Sequence, residues 1–271
     1  MSVKHDGSGR RWVEVEVEVP GTPDEVWQAI ATGPGVSSWF VPTEFHGDSV
    51  VANFGPGMES IAKVTNWDPP RRFAAESRAL GPDGPPVATE WIVEARAGGT
   101  CIVRVVHSLF TSSEEWDQQL ESIESGWPDF FRILRLYLTH FKGQSGAQIP
   151  AMGFAADSVS TAWDRFTTAL GLAGAAKGQH ARAPETAPTL AGIVDDAMQG
   201  ETWHQIYLRL DQPAPGIGHL FAMPMGGQVY LSLRLYLFGQ DAPAIAQRDQ
   251  AAWDAWMTRH FPAPAASNAT V

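Results

Sequence analysis

The feature that most restricts the fold is a run of large apolar side chains, Trp116, Leu120, Ile123, Trp127, Phe130, Leu134, Leu138 and Phe141, spaced by three or four residues. That spacing puts them on one helical face, and a face so broad and aromatic has to be buried against another element. Just ahead of it, residues 100–110 alternate as a half-buried strand does, with Val103, Val105, His107 and Leu109 on one side and Arg104 on the other. A strand that feeds directly into so bulky a helix predicts a helix held in a curved sheet. Thr111 or Ser112 is placed to cap this helix with Glu114 or Glu115 as reciprocal partner, so the expected start is near Ser113. Pro128 lacks the N–H of the helix ladder, and with Gly126 beside it the helix is expected to kink or restart there, widening the space beneath Trp127.

A chain of 271 residues can bury one large core or two modest ones. No apolar run approaches the length of a membrane span. Residues 1–10 are polar and lack the apolar centre of a secretory signal, and Cys101, the lone cysteine, cannot form an internal disulfide. A reducing, cytoplasmic setting is therefore expected. A net charge of −11, with no basic cluster larger than Arg71-Arg72, disfavours nucleic acid and anionic lipid as partners.

Along residues 12–19 Val13, Val15, Val17 and Val19 alternate with Glu14, Glu16 and Glu18, which predicts a strand with one core face and one wet face. Thr22 then caps a short helix that has Pro23 at its first position, Glu25 completing a capping box, and Val26, Trp27 and Ile30 as its buried stripe. After a Gly-Pro-Gly break at 33–35, Val36 to Phe40 read as a second short helix. Strands follow over 40–46, 49–54, 60–67, 72–78, 87–96 and 100–110, separated by turns at Gly55-Pro56-Gly57, Asp68-Pro69-Pro70, residues 81–84 and Gly98-Gly99. The order predicts an antiparallel meander. With Glu90, Glu94 and Arg96 outward, Thr89, Trp91 and Val93 face inward; with Arg72, Glu76 and Arg78 outward, so do Phe73, Ala75 and Ser77.

Residues 143–150 read as a polar connector, after which the pattern starts again in shorter form. Asp157-Ser158 with Trp163 echoes the cap, helix start and tryptophan of Thr22 to Trp27. Residues 229–238 parallel the strand ahead of the long helix, and Thr258-Arg259-His260-Phe261 repeats Leu138-Thr139-His140-Phe141 in outline. An internal duplication is expected, with one domain over 11–142, a second, abbreviated one over 151–262, an Ala/Gly/Pro-rich loop over 173–188 and a disordered tail over 263–271.

Taken in order, Thr22-Pro23-Asp24-Glu25-Val26-Trp27, Trp39-Phe40, Trp67-Asp68-Pro69-Pro70-Arg71-Arg72-Phe73, Thr100, His107-Ser108-Leu109-Phe110 and Gly126-Trp127 resemble the START-like helix-grip superfamily (SRPBCC, Bet v 1-like). Within it they look most like the branch named for the activator of the heat-shock-protein-90 ATPase. The resemblance covers about residues 12–142. It implies an α+β helix-grip fold, a curved antiparallel sheet around a long C-terminal helix, with a pocket between them that in many members binds apolar small molecules. Pro128 departs from that pattern.

On that arrangement Trp39, Phe40, Phe73, Trp91, Trp127 and Phe130 either fill a core or wall a cavity. His107 is the titratable group expected on the inner face, where it would orient a ligand, serve as acid or base, or be a satisfied core histidine. Ser77 and Thr89 are lesser polar candidates. No nucleophile elbow, zinc-protease helix or phosphate-binding glycine loop occurs, and the histidines are scattered singly, so no cofactor or metal is called for. Asp195-Asp196 reads as a solvated turn and Cys101 as a buried, inert thiol. The expected function is non-catalytic binding of an apolar or amphipathic small molecule. The alternatives are a chaperone-regulating protein-interaction module and a polyketide cyclase- or dehydratase-like enzyme using the same cavity.

Overall fold

The computed structural model describes residues 3–55, 57–77, 85–111 and 114–262. The turn expected over 81–84, Pro56 of the preceding turn, the outward Arg78, the candidate cap Ser112, the helix start at Ser113 and the tail 263–271 lie outside the described residues. The chain divides into two units, Met1–Ser145 and Gly146–Val271.

In the first unit the valine–glutamate alternation becomes β2 (Arg10–Pro20), preceded by the short edge strand β1 (Lys4–His5) within the stretch read as a polar terminus. Val13 and Val19 are buried while Glu14, Glu16 and Glu18 face water. After α1 (Pro23–Ile30) and α2 (Gly33–Ser37), the chain runs through β3 (Thr43–His46), β4 (Ser49–Asn53), β5 (Glu59–Asp68), β6 (Arg72–Ser77), β7 (Val87–Arg96) and β8 (Thr100–Phe110). These form an eight-stranded sheet in the order β1-β2-β8-β7-β6-β5-β4-β3, antiparallel at every pairing. The first long strand thus lies against the last, with Val13 opposite His107 and Val19 opposite Cys101. On the wet face Arg104 pairs with Glu16 at 3.0 Å and Glu94 at 3.4 Å, contacts that keep that face polar but add little stability when exposed.

Two local features decide how α1 and α2 sit. The capping box at α1 is present, Thr22 Oγ1 accepting from the Glu25 N–H at 3.3 Å and Glu25 Oε2 accepting from the Thr22 N–H at 2.9 Å. The Gly-Pro-Gly stretch, expected as a break, is itself helical: Thr32 caps α2 by accepting from the Gly35 N–H at 3.1 Å, and Trp39 and Phe40 fall in the turn beyond it. Gly35 is required because a Cβ there would lie 1.9 Å from the Gln28 carbonyl oxygen. β3 accordingly starts at Thr43 rather than at Phe40.

The long helix α3 (Asp117–His140) follows a 3-10 turn over Glu114–Trp116, and its N-cap residue Trp116 makes no side-chain capping bond. Arg11 of β2 holds its first turn instead, through a two-pronged ion pair to Asp117. The helix does not restart at Pro128. Pro128 faces solvent, and the buried positions Leu120, Trp127, Phe131, Leu134 and Leu138 keep one phase on both sides of it. The buried stripe is also rotated from the expected one: Glu124 and Phe131 lie inside, while Ile123 and Phe130 are half-buried. The order of elements is that of the helix-grip fold.

The second unit repeats this circuit with fewer strands. β9 (Ala147–Ala155) leads through α4 (Val159–Ala169) to β10 (His180–Arg182), β11 (Ala191–Gln199), β12 (His204–Gln212), β13 (Gly216–Met225), β14 (Gln228–Leu237) and α5 (Ala242–His260). Its six-stranded sheet has the order β10-β11-β12-β13-β14-β9, so the unit's first strand again lies against its last. β9 begins inside the stretch read as a connector, and β10 lies inside the stretch read as a loop. The echoes in the sequence fall at matching places: Ser158 caps α4 as Thr22 caps α1, and Phe261 closes α5 as Phe141 closes α3, each N–H reaching the carbonyl four residues back at 2.7 Å. α5 approaches β9 closely at Gly153, where a Cβ would lie 2.6 Å from the Phe261 backbone oxygen.

These contacts give opposite expectations for two helix glycines. Gly35→Ala should lower stability by about 3 kcal/mol through overpacking. Gly126→Ala, which meets nothing within 4 Å, should raise it by roughly 0.5–1 kcal/mol through helix propensity. Urea midpoints of the two variants, measured against the parent chain, check both.

Candidate functional site

The alternation of β6, β7 and β8 turns Phe73, Trp91 and His107 toward the helix side of the first sheet, and Trp127 comes down from α3 to meet them. The rings touch without closing the space. Trp91 stands edge-on to Trp127 with centroids 5.1 Å apart, Phe40 lies nearly parallel to Trp127 at 5.4 Å, and Phe73 lies nearly parallel to Trp91 at 6.2 Å. Between them is a cavity of about 170 Å³. Phe40, Phe73, Trp91, His107 and Trp127 line it, and Val50, Ala52, Phe54 and Ser60 form its more exposed side.

Three residues singled out in the sequence stand elsewhere. Trp39 is fully buried behind the wall, its indole N–H donating to the Ala29 carbonyl at 2.9 Å and its ring edge-on to Trp91. Phe130 supports Phe40 edge-on at 4.5 Å without reaching the cavity. Ser77 donates to the Val87 carbonyl at 3.4 Å and does not line the space. Thr89, ranked low in the sequence, does line it, as do Val36, Phe45 and Phe54. The inward parity shared with Trp91 marks Thr89, and Phe54 shares the parity of Val50 and Ala52, which line the cavity with it.

His107 is the chemical centre of the site, and its state follows from its partners. Trp127 Nε1–H donates to His107 Nε2 at 2.7 Å, and His107 Nδ1 lies 3.0 Å from Thr89 Oγ1. An indole nitrogen can only donate, so Nε2 carries the lone pair. The neutral imidazole then has its proton on Nδ1 and donates to Thr89. Histidine and indole planes are 20° apart, so the two bonded rings lie nearly parallel. Burial pushes the imidazole pKa down to about 4, so the ring is neutral at pH 7. No charged side chain lines the cavity among the described residues. Cys101 lies outside it, its thiol donating to the Gly21 carbonyl at 3.3 Å, with burial and then Glu25 raising its pKa, as suits an inert thiol.

The second unit has a different interior. Trp253, Trp256, Met257 and Phe261 pack into one continuous core with Leu231, Leu233 and Leu235 of β14. Its groove of about 400 Å³ lies beside α4, lined by Trp163, Asp164 and Thr167 with Gln199 and Ile206 opposite. No helix among the described residues is long and apolar enough to cross a membrane.

No family model matches the sequence and no curated protein does. Solved structures similar to it include DynU16, described as a putative protein in the dynemicin biosynthetic locus, at 22% identity over 91% of this chain and 96% of that one, with a TM-score of 0.42. CalU16 from Micromonospora echinospora is similar at 16% identity over 51% of this chain and 83% of that one, with a TM-score of 0.40. The Aha1 dimer from Colwellia psychrerythraea is similar at 19% identity over 49% of this chain and 98% of that one, with a TM-score of 0.41.

The depressed pKa of His107 has a thermodynamic consequence. Between its ordinary value of 6.5 and about 4 the unfolded chain binds a proton that the folded chain refuses, so this group's contribution is complete above pH 6.5 and is lost as pH falls toward 4. The expected loss is about 3 kcal/mol. His219 in the second unit is pushed down to about 3 by burial and then by Arg234, and adds to the same trend. Denaturant unfolding between pH 7 and pH 4 should therefore fall less steeply in His107→Phe than in the parent chain; equal slopes would contradict the assignment.

Proposed function

We propose that the first unit is a non-catalytic receptor for an apolar or amphipathic small molecule, held between the sheet and α3, in a cytoplasmic protein. The observation that carries this reading is a void that survives among well-packed aromatic rings and is lined without a charge. Apolar burial there supplies the driving force, at roughly 25 cal/mol per Å² removed from water. The buried free thiol of Cys101 fits a reducing compartment.

Acid–base catalysis by His107 is the weaker reading. Both ring nitrogens are engaged, and the ring has to give up the Trp127 bond before Nε2 can take a proton from a substrate. A protein partner is a second reading, favoured by the exposed Phe54, Met58, Ile61 and Trp67 on or beside β4 and β5. Stoichiometric co-purification with another protein would support it.

The receptor reading is checked by titrating the full chain with an environment-sensitive apolar dye and by native mass spectrometry after exposure to small apolar compounds. Saturable one-to-one occupancy is expected in the parent chain. Ala62→Trp, which places an indole in the cavity lining, should weaken it at least tenfold. An absence of occupancy in both measurements would end the proposal.

A further inference from the structure

The relay from Trp127 through His107 to Thr89 settles which hydrogen-bonding role the cavity offers a guest. Thr89 Oγ1 receives the Nδ1 proton of His107, so its own O–H is left to donate, and no other partner for it is present among the described residues. The remaining polar groups of the lining are spent or peripheral. Thr43 donates its hydroxyl proton to the Val41 carbonyl at 2.9 Å, both nitrogens of His107 are occupied, and Ser60 sits on an exposed stretch. The inner wall therefore presents one directed donor among aromatic and aliphatic surfaces.

Size and charge narrow the guest further. The cavity volume of about 170 Å³ is slightly above the roughly 150 Å³ that accommodates a benzene ring in an apolar protein interior. With no lysine or arginine in the lining, a carboxylate entering it would lose its water without gaining a counter-charge.

Resting on the receptor reading above, we infer that the site selects a small neutral molecule with one planar ring and one attached hydrogen-bond acceptor, an aryl ketone or aldehyde in chemical class, whose oxygen takes the Thr89 hydroxyl proton. The ring lies against the Phe40, Trp91 and Trp127 surfaces. His107 is then a positioning residue: it orients the Thr89 hydroxyl and does not itself touch the guest's oxygen.

The test is a cycle of calorimetric titrations at pH 7 with acetophenone, ethylbenzene and benzoate against the parent chain, Thr89→Val and Thr89→Ser. Thr89→Val should weaken acetophenone about fivefold relative to ethylbenzene, and Thr89→Ser should restore the parent ratio. Benzoate should bind at least about tenfold more weakly than acetophenone. Equal changes for both neutral ligands, or benzoate binding as well as acetophenone, overturn the inference and leave the receptor reading standing. Failure of acetophenone and ethylbenzene alike to bind the parent chain overturns the inference, whereas the receptor reading falls only if the dye and mass-spectrometric measurements are also empty. Infrared spectra of acetophenone bound to the parent chain need no variant: a carbonyl stretch lowered from its position in hexane is expected, and an unshifted stretch overturns the inference.

Discussion

Burial of one face of α3 is the constraint to which the first unit answers. Leu120, Trp127, Phe131, Leu134 and Leu138 leave the helix no stable position in water, since burying each such side chain contributes about 1.5–3 kcal/mol, and a sheet able to cover them has to bend around the helix. Pairing the first long strand with the last meets that demand: β2 lies beside β8, Leu120 packs on Val13 and Leu109, and Arg11 fixes the start of the helix through Asp117. Pro128 does not interrupt α3. Its lost hydrogen bond falls on the wet side, while the packed stripe runs unbroken on the other.

Within this grip the Trp127–His107 bond does what apolar packing does not. A buried indole N–H needs an acceptor, and His107 Nε2 provides it at 2.7 Å. Thr89 satisfies the other ring nitrogen, so a polar chain of three residues lies in an apolar region with its internal bonds complete. The arrangement keeps the imidazole neutral and spaces β8 from the helix by the width of two coplanar rings. Rings held by a directed bond cannot slide together to fill space as aliphatic chains do, and the cavity lies beside them.

The two units show how one circuit gives two interiors. In both, the first long strand pairs with the last one and leads to a capped helix bearing a tryptophan five residues after its cap, and both close on a helix ended by phenylalanine. In the second unit leucines on β14 and Trp253 and Trp256 on α5 close the space. In the first, Phe40, Phe73, Trp91, His107 and Trp127 line a cavity instead.

Much of this was legible from residue order. The strands were readable because valine–glutamate and tryptophan–glutamate alternation puts a charge on every second position, and a charge can face only one way. The capping box at Thr22 was equally plain, because its chemistry is local. The helical stripe was only half legible: Ile123 and Phe130 compete with Glu124 and Phe131 for the same surface, and apolar character alone favoured the wrong pair. Of the cavity residues, Phe40, Phe73, Trp91, His107 and Trp127 could be collected by parity and resemblance, whereas Trp39, Ser77 and Phe130 were drawn in by the same logic and stand outside.

What the sequence by itself determined is the succession of elements in the first unit, the inward and outward faces of its charge-bearing strands and an abbreviated repeat after them, because these follow from local periodicity, capping and charge. Only the tertiary structure decided which rings meet, that His107 is an acceptor toward Trp127 and a donor toward Thr89, and that a cavity lies between the first unit's sheet and α3 while the second unit's closing helix joins one continuous core. Those outcomes depend on distances of a few tenths of an ångström between residues far apart in the chain, and no local pattern encodes them.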